Sequence, residues 1–152
     1  MALSISSTAF AAGASIPAVY SCKGQSISPP LAWNDPPGGT KSFALIADDP
    51  DAPIGTFVHW VIYNIPASSR GLPEAVPMGA QLADGTQQGK NGAGASGYMG
   101  PCPPSGTHRY FFKLYALDAA VSLSSGAGKD DLLKAMQGHI LAQGELMGTF
   151  SK

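Results

Sequence analysis

Apolar and polar residues alternate along much of the chain with the two-residue period that is typical of β-strands. Residues 57–64 carry apolar side chains on both faces, which predicts a strand buried on two sides, with His59 on the same face as Val61. A further strand is predicted over residues 41–48, and a short edge strand over residues 3–6. This pattern indicates a protein built mainly from β-sheet.

Another strand is predicted where a Pro- and Gly-rich segment ends and an apolar run begins, after residue 107. Alternation places His108, Tyr110 and Phe112 on one face of this strand and Arg109 on the other. We therefore expect the His108 and Tyr110 side chains to point to the same side of the sheet. Arg109 is expected to pair with a carboxylate and so fix the adjoining loop.

Helical spacing is clear in one segment only, residues 130–143. Its apolar stripe consists of Leu132, Leu133, Met136 and Ile140. Acidic residues occupy the first turn and Gly144 follows the last, as is usual for helix ends. The pattern predicts a peripheral helix whose stripe packs against the sheet.

The chain is expected to form one domain over residues 1–152. That length is enough to bury roughly 70% of the surface of the unfolded chain. Residues 65–107 contain no long periodic segment, which predicts short elements separated by turns. The 19 glycines and 13 prolines are dispersed, and neither a linker nor an internal repeat is apparent.

Charge and hydropathy exclude several classes of partner. The formal net charge is −1 and only 12% of residues are charged, so no basic field attracts nucleic acid or an anionic membrane. Apolar runs are shorter than the roughly 20 residues of a membrane-spanning helix, so stable membrane insertion is not expected. The first basic residue is Lys23, and the charged start of a secretory signal is missing. A cytoplasmic location is the expectation.

The chain contains two cysteines, Cys22 and Cys102, and neither belongs to a Cys-x-x-Cys motif. The sequence allows a disulfide between them, but the expected cytoplasmic location favours reduced thiols. Cys102 is interpreted as a small residue that packs in its loop. The alternative is an exposed thiol whose pKa is lowered by nearby imidazoles.

Two segments carry most of the candidate chemistry. One is DPDAP at residues 49–53, followed by His59, and the other is GPCPPSGTHRY at residues 100–110. Together they supply two carboxylates, two imidazoles and a phenol. In extended backbone Asp49 and Asp51 lie on one face, and the Pro-rich segment must form a shaped loop that leads into a strand. Such loops are frequent positions for binding sites.

These segments resemble the phosphatidylethanolamine-binding protein family, in particular its short bacterial branch described as Raf-kinase-inhibitor-like. The resemblance extends over almost the whole chain and includes IPAVYSCKG at 16–24, SPPLAW at 28–33, KSFALI at 41–46, YNIP at 63–66 and GHILA at 138–142. The specific part is DPDAP combined with a downstream PPxGxHRY.

The resemblance implies a mainly β fold with minor α: a Greek-key two-sheet arrangement with long loops and one or two short peripheral helices. It implies a pocket for small anions, such as a phosphate ester or a phospholipid headgroup, with no cofactor and no enzymatic activity. Carried onto this chain, the ligand-binding residues are Asp49, Asp51, His59, Gly100, Cys102, Pro103, Pro104, His108 and Tyr110.

Two carboxylates by themselves would repel a phosphate. If Asp49 or Asp51 accepts a hydrogen bond from His59 or His108, however, it raises the pKa of that imidazole and presents a cation to the ligand. A carboxylate could also accept a proton from a monoprotonated phosphate, or contact an amine such as ethanolamine. Backbone N–H groups of the Pro-rich loop are further possible donors.

The same residues allow other interpretations. Two histidines and two carboxylates could ligate a divalent metal in a metal-assisted hydrolase, although their spacing follows no metal motif. A serine hydrolase using Ser105 and His108 lacks the Gly-x-Ser-x-Gly motif. The cluster could also be a structural network. A regulator of a protein kinase or protease would use the same pocket, so sequence does not separate it from a simple binding protein.

A homodimer is also expected from the resemblance. The chain ends at Lys152, without the C-terminal helix that partly covers the pocket in longer family members. An apolar rim near Tyr98, Met99 and Pro101 would then be open, and a second subunit could bury it.

Overall fold

The computed structural model describes residues 2–124 and 126–152, which are mainly β and form two sheets and one α-helix. The bounds of its elements are β1 Ile5–Ser6, β2 Leu31–Trp33, β3 Ser42–Asp49, β4 Phe57–Pro66, β5 Gly71–Leu72, β6 Gln87–Gln88, β7 Thr107–Leu117, α1 Lys129–Met136 and β8 Ile140–Ser151. A single 3₁₀ turn spans Ala18–Tyr20. The expected fold class is confirmed.

The larger sheet has five strands in the order β6-β4-β3-β7-β8, and all pairings are antiparallel. All eight residues of β3 are buried, as expected for a central strand with no polar face. The strands predicted over residues 41–48 and 57–64 are therefore confirmed. The smaller sheet has the order β1-β2-β5.

The main core lies between the two sheets. It combines side chains such as Trp33 and Leu72 of the smaller sheet with Phe43, Trp60 and Phe112 of the larger one. A second apolar cluster lies on the opposite face of the larger sheet, where α1 packs. The larger sheet is thus covered on both faces, which explains the apolar residues on both sides of β4.

The helix is shorter than predicted. Leu132 and Met136 are buried against the sheet as the stripe indicated, but α1 ends at Met136 and Ile140 begins β8. The helix stops because Gly138 adopts a φ of 82°, a left-handed conformation that ends helices and favours glycine. The prediction of helix over residues 137–143 was therefore wrong.

A β-bulge in β4 changes the direction of one functional side chain. Ala47 pairs with Trp60 while Asp48 pairs with Val58, so His59 is an extra residue without a partner on β3. Regular alternation would place His59 with Val61 on the helix side of the sheet. The bulge turns it to the opposite side, toward Tyr110 of β7.

Asp48 forms a buried ionic cluster on the helix side of the larger sheet. Its Oδ2 accepts hydrogen bonds from Lys113 Nζ at 3.3 Å and Lys129 Nζ at 2.9 Å, while the Asp48 side chain is only 1% exposed. Since Lys129 is the first residue of α1 and Lys113 belongs to β7, the carboxylate ties the helix to the sheet.

Replacing Asp48 with alanine is expected to lower the free energy of unfolding by about 2 kcal/mol, because both lysines lose their partner in partly buried surroundings. Urea unfolding measures this change. Asp35→Ala is a matched control: it breaks an exposed ion pair with Arg70 and should change the free energy by less than about 0.5 kcal/mol. Equal effects of the two substitutions would contradict the structural role of Asp48.

The two cysteines form a disulfide, Cys22–Cys102. The expectation of reduced thiols was therefore wrong, and with it the interpretation of Cys102 as a free packing residue. The segments meet because Gly100 packs directly on the backbone of Tyr20 and Ser21, and because the Cys22 N–H donates to the Pro101 carbonyl at 3.1 Å. The expectation of reduced thiols was based on the expected cytoplasmic location, which gives no information about the distance between the two cysteines.

The apolar rim expected near Tyr98, Met99 and Pro101 is largely closed within the chain. Tyr98 and Pro101 are buried, and only Met99 is partly accessible. The Tyr98 hydroxyl donates to the Tyr20 carbonyl at 2.8 Å, which holds it inside. The prediction of an open apolar surface was therefore wrong.

Among the described residues, no helix has the length and hydropathy needed to cross a membrane.

Candidate functional site

A cavity of about 160 Å³ opens at one edge of the larger sheet, where β3 ends and where β4 and β7 begin. Its polar wall is formed by Asp49, His59, His108 and Tyr110. The remaining lining residues are Ala52, Pro53, Phe57, Met99, Cys102, Pro103 and Pro104, which are mostly apolar. Seven of the nine candidate residues thus come together, whereas Asp51 and Gly100 do not line the cavity.

Asp49 and His108 form a buried pair. The Nδ1 of His108 donates to Asp49 Oδ2 at 2.6 Å, and the other carboxylate oxygen, Oδ1, accepts the Asp51 N–H at 2.7 Å. Both oxygens of Asp49 are therefore engaged, and Nε2 is left as the free nitrogen of His108. The hydrogen bond between one of the two carboxylates and an imidazole that the sequence analysis considered is therefore present.

His59 is fixed in the same manner by a backbone group. Its Nδ1 donates to the Met99 carbonyl at 2.8 Å, and since a carbonyl only accepts, Nδ1 carries the hydrogen and Nε2 is free. Burial lowers the pKa of His59, an effect that the Met99 hydrogen bond and the charge of Asp49 partly oppose. The lowered pKa of His59 favours the uncharged imidazole.

Tyr110 contacts both imidazoles. Its ring centroid lies 5.2 Å from that of His59, edge to face, and 6.5 Å from that of His108. The hydroxyl is buried and has no hydrogen-bond partner among the described residues. Burial, followed by the charge of Asp49, raises the pKa of Tyr110, so the hydroxyl keeps its proton and is available as a donor. A buried polar atom of this kind calls for a ligand or water.

Asp51 faces away from the cavity and forms a clamp with Arg109. Its carboxylate accepts the Arg109 backbone N–H at 2.9 Å and two guanidinium N–H groups at 2.9 and 2.8 Å. These hydrogen bonds lower the pKa of Asp51 to about 2. The prediction that Asp49 and Asp51 share one face was wrong, because the chain turns after Asp49 and the Asp51 N–H caps the Asp49 carboxylate.

The hydrogen bonds between Asp51 and Arg109 lie beyond the last backbone pair of β3 and β7. The β3–β7 ladder stops at Asp48 and Phe111, so the turn after β3 and the first residues of β7 have no common ladder. The Asp51 side chain accepts the Arg109 N–H in that gap. The pairing of Arg109 with a carboxylate is thereby confirmed, and its result is a fixed position for the turn that carries Ala52 and Pro53.

Gly100 is a structural residue of the rim. Its N–H donates to the Ser26 hydroxyl at 2.9 Å, and a Cβ at this position would lie 2.4 Å from the Tyr20 carbonyl oxygen. The prediction of a ligand contact from Gly100 is therefore not supported by its position. Four wall residues were not among the predicted site residues: Ala52 and Pro53, which belong to the DPDAP motif, and Phe57 and Met99, which lie outside the motifs. All four have side chains without polar groups, so they gave no chemical signal.

Within residues 2–124 and 126–152, no group of three or more His, Cys, Asp or Glu side chains has the geometry to hold a metal ion. His139, the third histidine, lies outside the cavity and is half exposed, with its Nδ1 2.7 Å from Asp118 Oδ1. It is thus a surface histidine with a partner.

Comparison with known proteins agrees with the fold. The phosphatidylethanolamine-binding protein family model matches residues 6–151. The chain belongs to this family. A UPF0098 protein of Methanothermobacter thermautotrophicus is 56% identical over 137 residues, which cover 90% of this chain and 91% of that protein.

Two solved structures support the same assignment. A phosphatidylethanolamine-binding protein homologue from Chlamydia trachomatis is 45% identical with a TM-score of 0.91, and the match covers 99% of this chain and 98% of that one. YbcL of E. coli, described as a member of the mammalian family, is 30% identical with a TM-score of 0.88, over 100% and 99% of the two chains. Family membership thus rests on both sequence and fold.

Proposed function

We propose that this family member binds small phosphate esters, of the kind found in phospholipid headgroups, in the cavity between β3, β4 and β7. The observation that carries the proposal is the unpartnered Tyr110 hydroxyl beside two imidazoles that each have a free Nε2. Three hydrogen-bonding groups therefore remain unused on one wall of one cavity. The Tyr110 hydroxyl donates to an oxyanion, and each Nε2 accepts from a monoprotonated phosphate, so the set suits a phosphate group.

The rest of the cavity suits the organic part of an ester. The apolar part of the lining consists of Phe57, Met99 and Pro103, together with the side chains of the turn after β3. Apolar walls with a few convergent polar groups are typical of small-molecule sites. Both oxygens of Asp49 already accept hydrogen bonds, which reduces its repulsion of an anion. The arrangement supports an ester over inorganic phosphate.

Anion affinity is expected to rise as the pH falls below about 6.5. Burial lowers the pKa of His59, and a bound anion stabilises the charged imidazolium, so binding and protonation favour each other. Sulfate is the suitable probe because its charge stays constant over this range. Calorimetry from pH 7.5 to 5.5 should show tighter binding, with a weaker trend for His59→Gln. If the affinity is independent of pH, the charge of the imidazole does not contribute to anion binding.

The proposal is tested by removing the unpartnered hydroxyl. Tyr110→Phe is expected to weaken the binding of phosphoethanolamine by roughly three- to tenfold, which corresponds to one lost hydrogen bond. Tyr115→Phe is the matched control, since it makes the same change on the opposite face of the same strand. Equal affinity of wild type and Tyr110→Phe would contradict a ligand seated at this wall.

We infer that the protein acts by binding and not by catalysis, in the cytoplasm. The partner class that the resemblance implies is a protein kinase or protease whose activity responds to the occupied cavity.

A homodimer is also proposed, although the rim near Tyr98 is largely closed and does not support it. Light scattering at high micromolar concentration checks the mass, and affinity capture with and without phosphoethanolamine checks for a ligand-dependent partner.

A further inference from the structure

The Cys22–Cys102 disulfide borders the cavity and is accessible to solvent. Both cysteines are exposed, and Cys102 lines the cavity together with Pro103 and Pro104. A reductant can therefore reach the sulfurs without unfolding of the chain. Exposure of this kind distinguishes disulfides that undergo exchange from those that are enclosed in a core.

The disulfide is also the cross-link that holds the middle of the rim. In the part of the chain that the structure describes, residues 102–105 make no hydrogen bond, and Pro103 and Pro104 have no N–H with which to do so. The flanking residues are held on either side. Pro101 accepts the Cys22 N–H at 3.1 Å, and Gly106 accepts the Lys152 N–H at 3.0 Å.

We propose that Cys22–Cys102 is a thiol–disulfide exchange site through which a cellular dithiol controls the cavity. A thiolate of the dithiol attacks one sulfur and forms a mixed disulfide, and its second thiol then displaces the remaining protein sulfur. The protein disulfide gains two electrons and two protons to become two thiols, while the dithiol becomes a disulfide. Residues 102–105 lose their cross-link in this step.

Reduction of the disulfide is expected to affect one wall of the cavity and not the other. The Asp49–His108 and His59–Met99 hydrogen bonds do not involve residues 102–105, so the polar wall keeps its geometry. Pro103 is buried, whereas Cys102, Pro104 and Ser105 are exposed, so the exposed part of the rim becomes mobile and must be ordered again when an ester binds. This inference rests on the proposed function. It predicts that reduction weakens ester binding by roughly three- to tenfold and leaves inorganic phosphate binding nearly unchanged.

A conditional disulfide also agrees with the proposed cytoplasmic location. Disulfides in reducing compartments are usually transient and either catalytic or redox-sensing. An accessible disulfide beside a ligand cavity has the position that such a role requires. The reduced form would be the state of low ester affinity.

The experiment compares oxidised wild type, wild type reduced with dithiothreitol, and the Cys22→Ser/Cys102→Ser variant with and without dithiothreitol. Calorimetry gives the Kd of phosphoethanolamine and of inorganic phosphate at 25 °C, and near-UV circular dichroism verifies that each sample is folded. The reduced protein and the variant should bind the ester more weakly and phosphate equally well, and dithiothreitol should not affect the variant.

The outcomes separate the two proposals. Ester affinity that is the same in oxidised and reduced protein overturns the exchange site and leaves the proposed function standing. Equal loss of both ligands on reduction also overturns it, because the polar wall would then depend on the disulfide. If oxidised wild type binds neither ligand, the proposed function is contradicted. The proposed redox control of binding is then contradicted as well.

Discussion

Removing the Cys22–Cys102 disulfide is expected to lower the free energy of unfolding by about 4 kcal/mol. The two cysteines are 80 residues apart in sequence, so the cross-link closes a loop of more than half the chain. Closing such a loop restricts the unfolded ensemble far more than it restricts the folded one. For a chain of this size the loss corresponds to a decrease in Tm of roughly 10 °C.

Urea unfolding of oxidised wild type and of Cys22→Ser/Cys102→Ser measures this effect. A reductant should destabilise wild type by a similar amount and leave the variant unchanged, which controls for effects of the reductant itself. A difference below about 1 kcal/mol between the two proteins would show that the unfolded chain is already restricted in this region, contrary to the loop-closure argument.

His108→Gln is expected to weaken phosphoethanolamine binding by at least about tenfold, because it removes an imidazole of the polar wall whose Nε2 is free to bind the phosphate group. Glutamine is chosen since its amide can still donate to Asp49, whereas alanine would leave that buried carboxylate without a partner. The substitution should therefore affect affinity much more than stability.

Calorimetry provides the affinity, and His139→Gln is the control. His139 has the same type of partner, a carboxylate on Nδ1, but lies in the turn before β8 and outside the cavity. Its substitution should leave the Kd unchanged. If both variants bind as wild type does, His108 does not contact the ligand. If both bind weakly, the effect is a general loss of structure.

The long central strands were predictable because burial on both faces leaves a continuous apolar pattern. The alternation predicted β3 and β4 almost to their ends. β8 was missed because Gly144 and Gly148 interrupt its pattern. A Cβ at Gly144 would lie 2.0 Å from the Leu3 carbonyl oxygen, and one at Gly148 would lie 2.6 Å from Ile16 Cγ1. The close approach of the N-terminal segment therefore requires glycine at both positions, and glycine has no side chain to contribute to an alternating pattern.

The polar residues that line the cavity were predictable from their motifs, but their orientations were not. His108 and Tyr110 share a face because β7 is regular, whereas His59 reaches the cavity only through a bulge. Asp51 was assigned to the pocket because an extended backbone was assumed where the chain turns. In each case tertiary pairing decided the direction of the side chain, and a single sequence does not report that pairing.

A crystal structure of the oxidised protein soaked with phosphoethanolamine tests the central claim most directly. The account predicts a phosphate group within hydrogen-bond distance of the Tyr110 hydroxyl and of Nε2 of His59 and His108, with the ethanolamine chain along Pro103 and Phe57. A cavity that holds only water at saturating ligand, or a phosphate bound elsewhere on the protein, would contradict it.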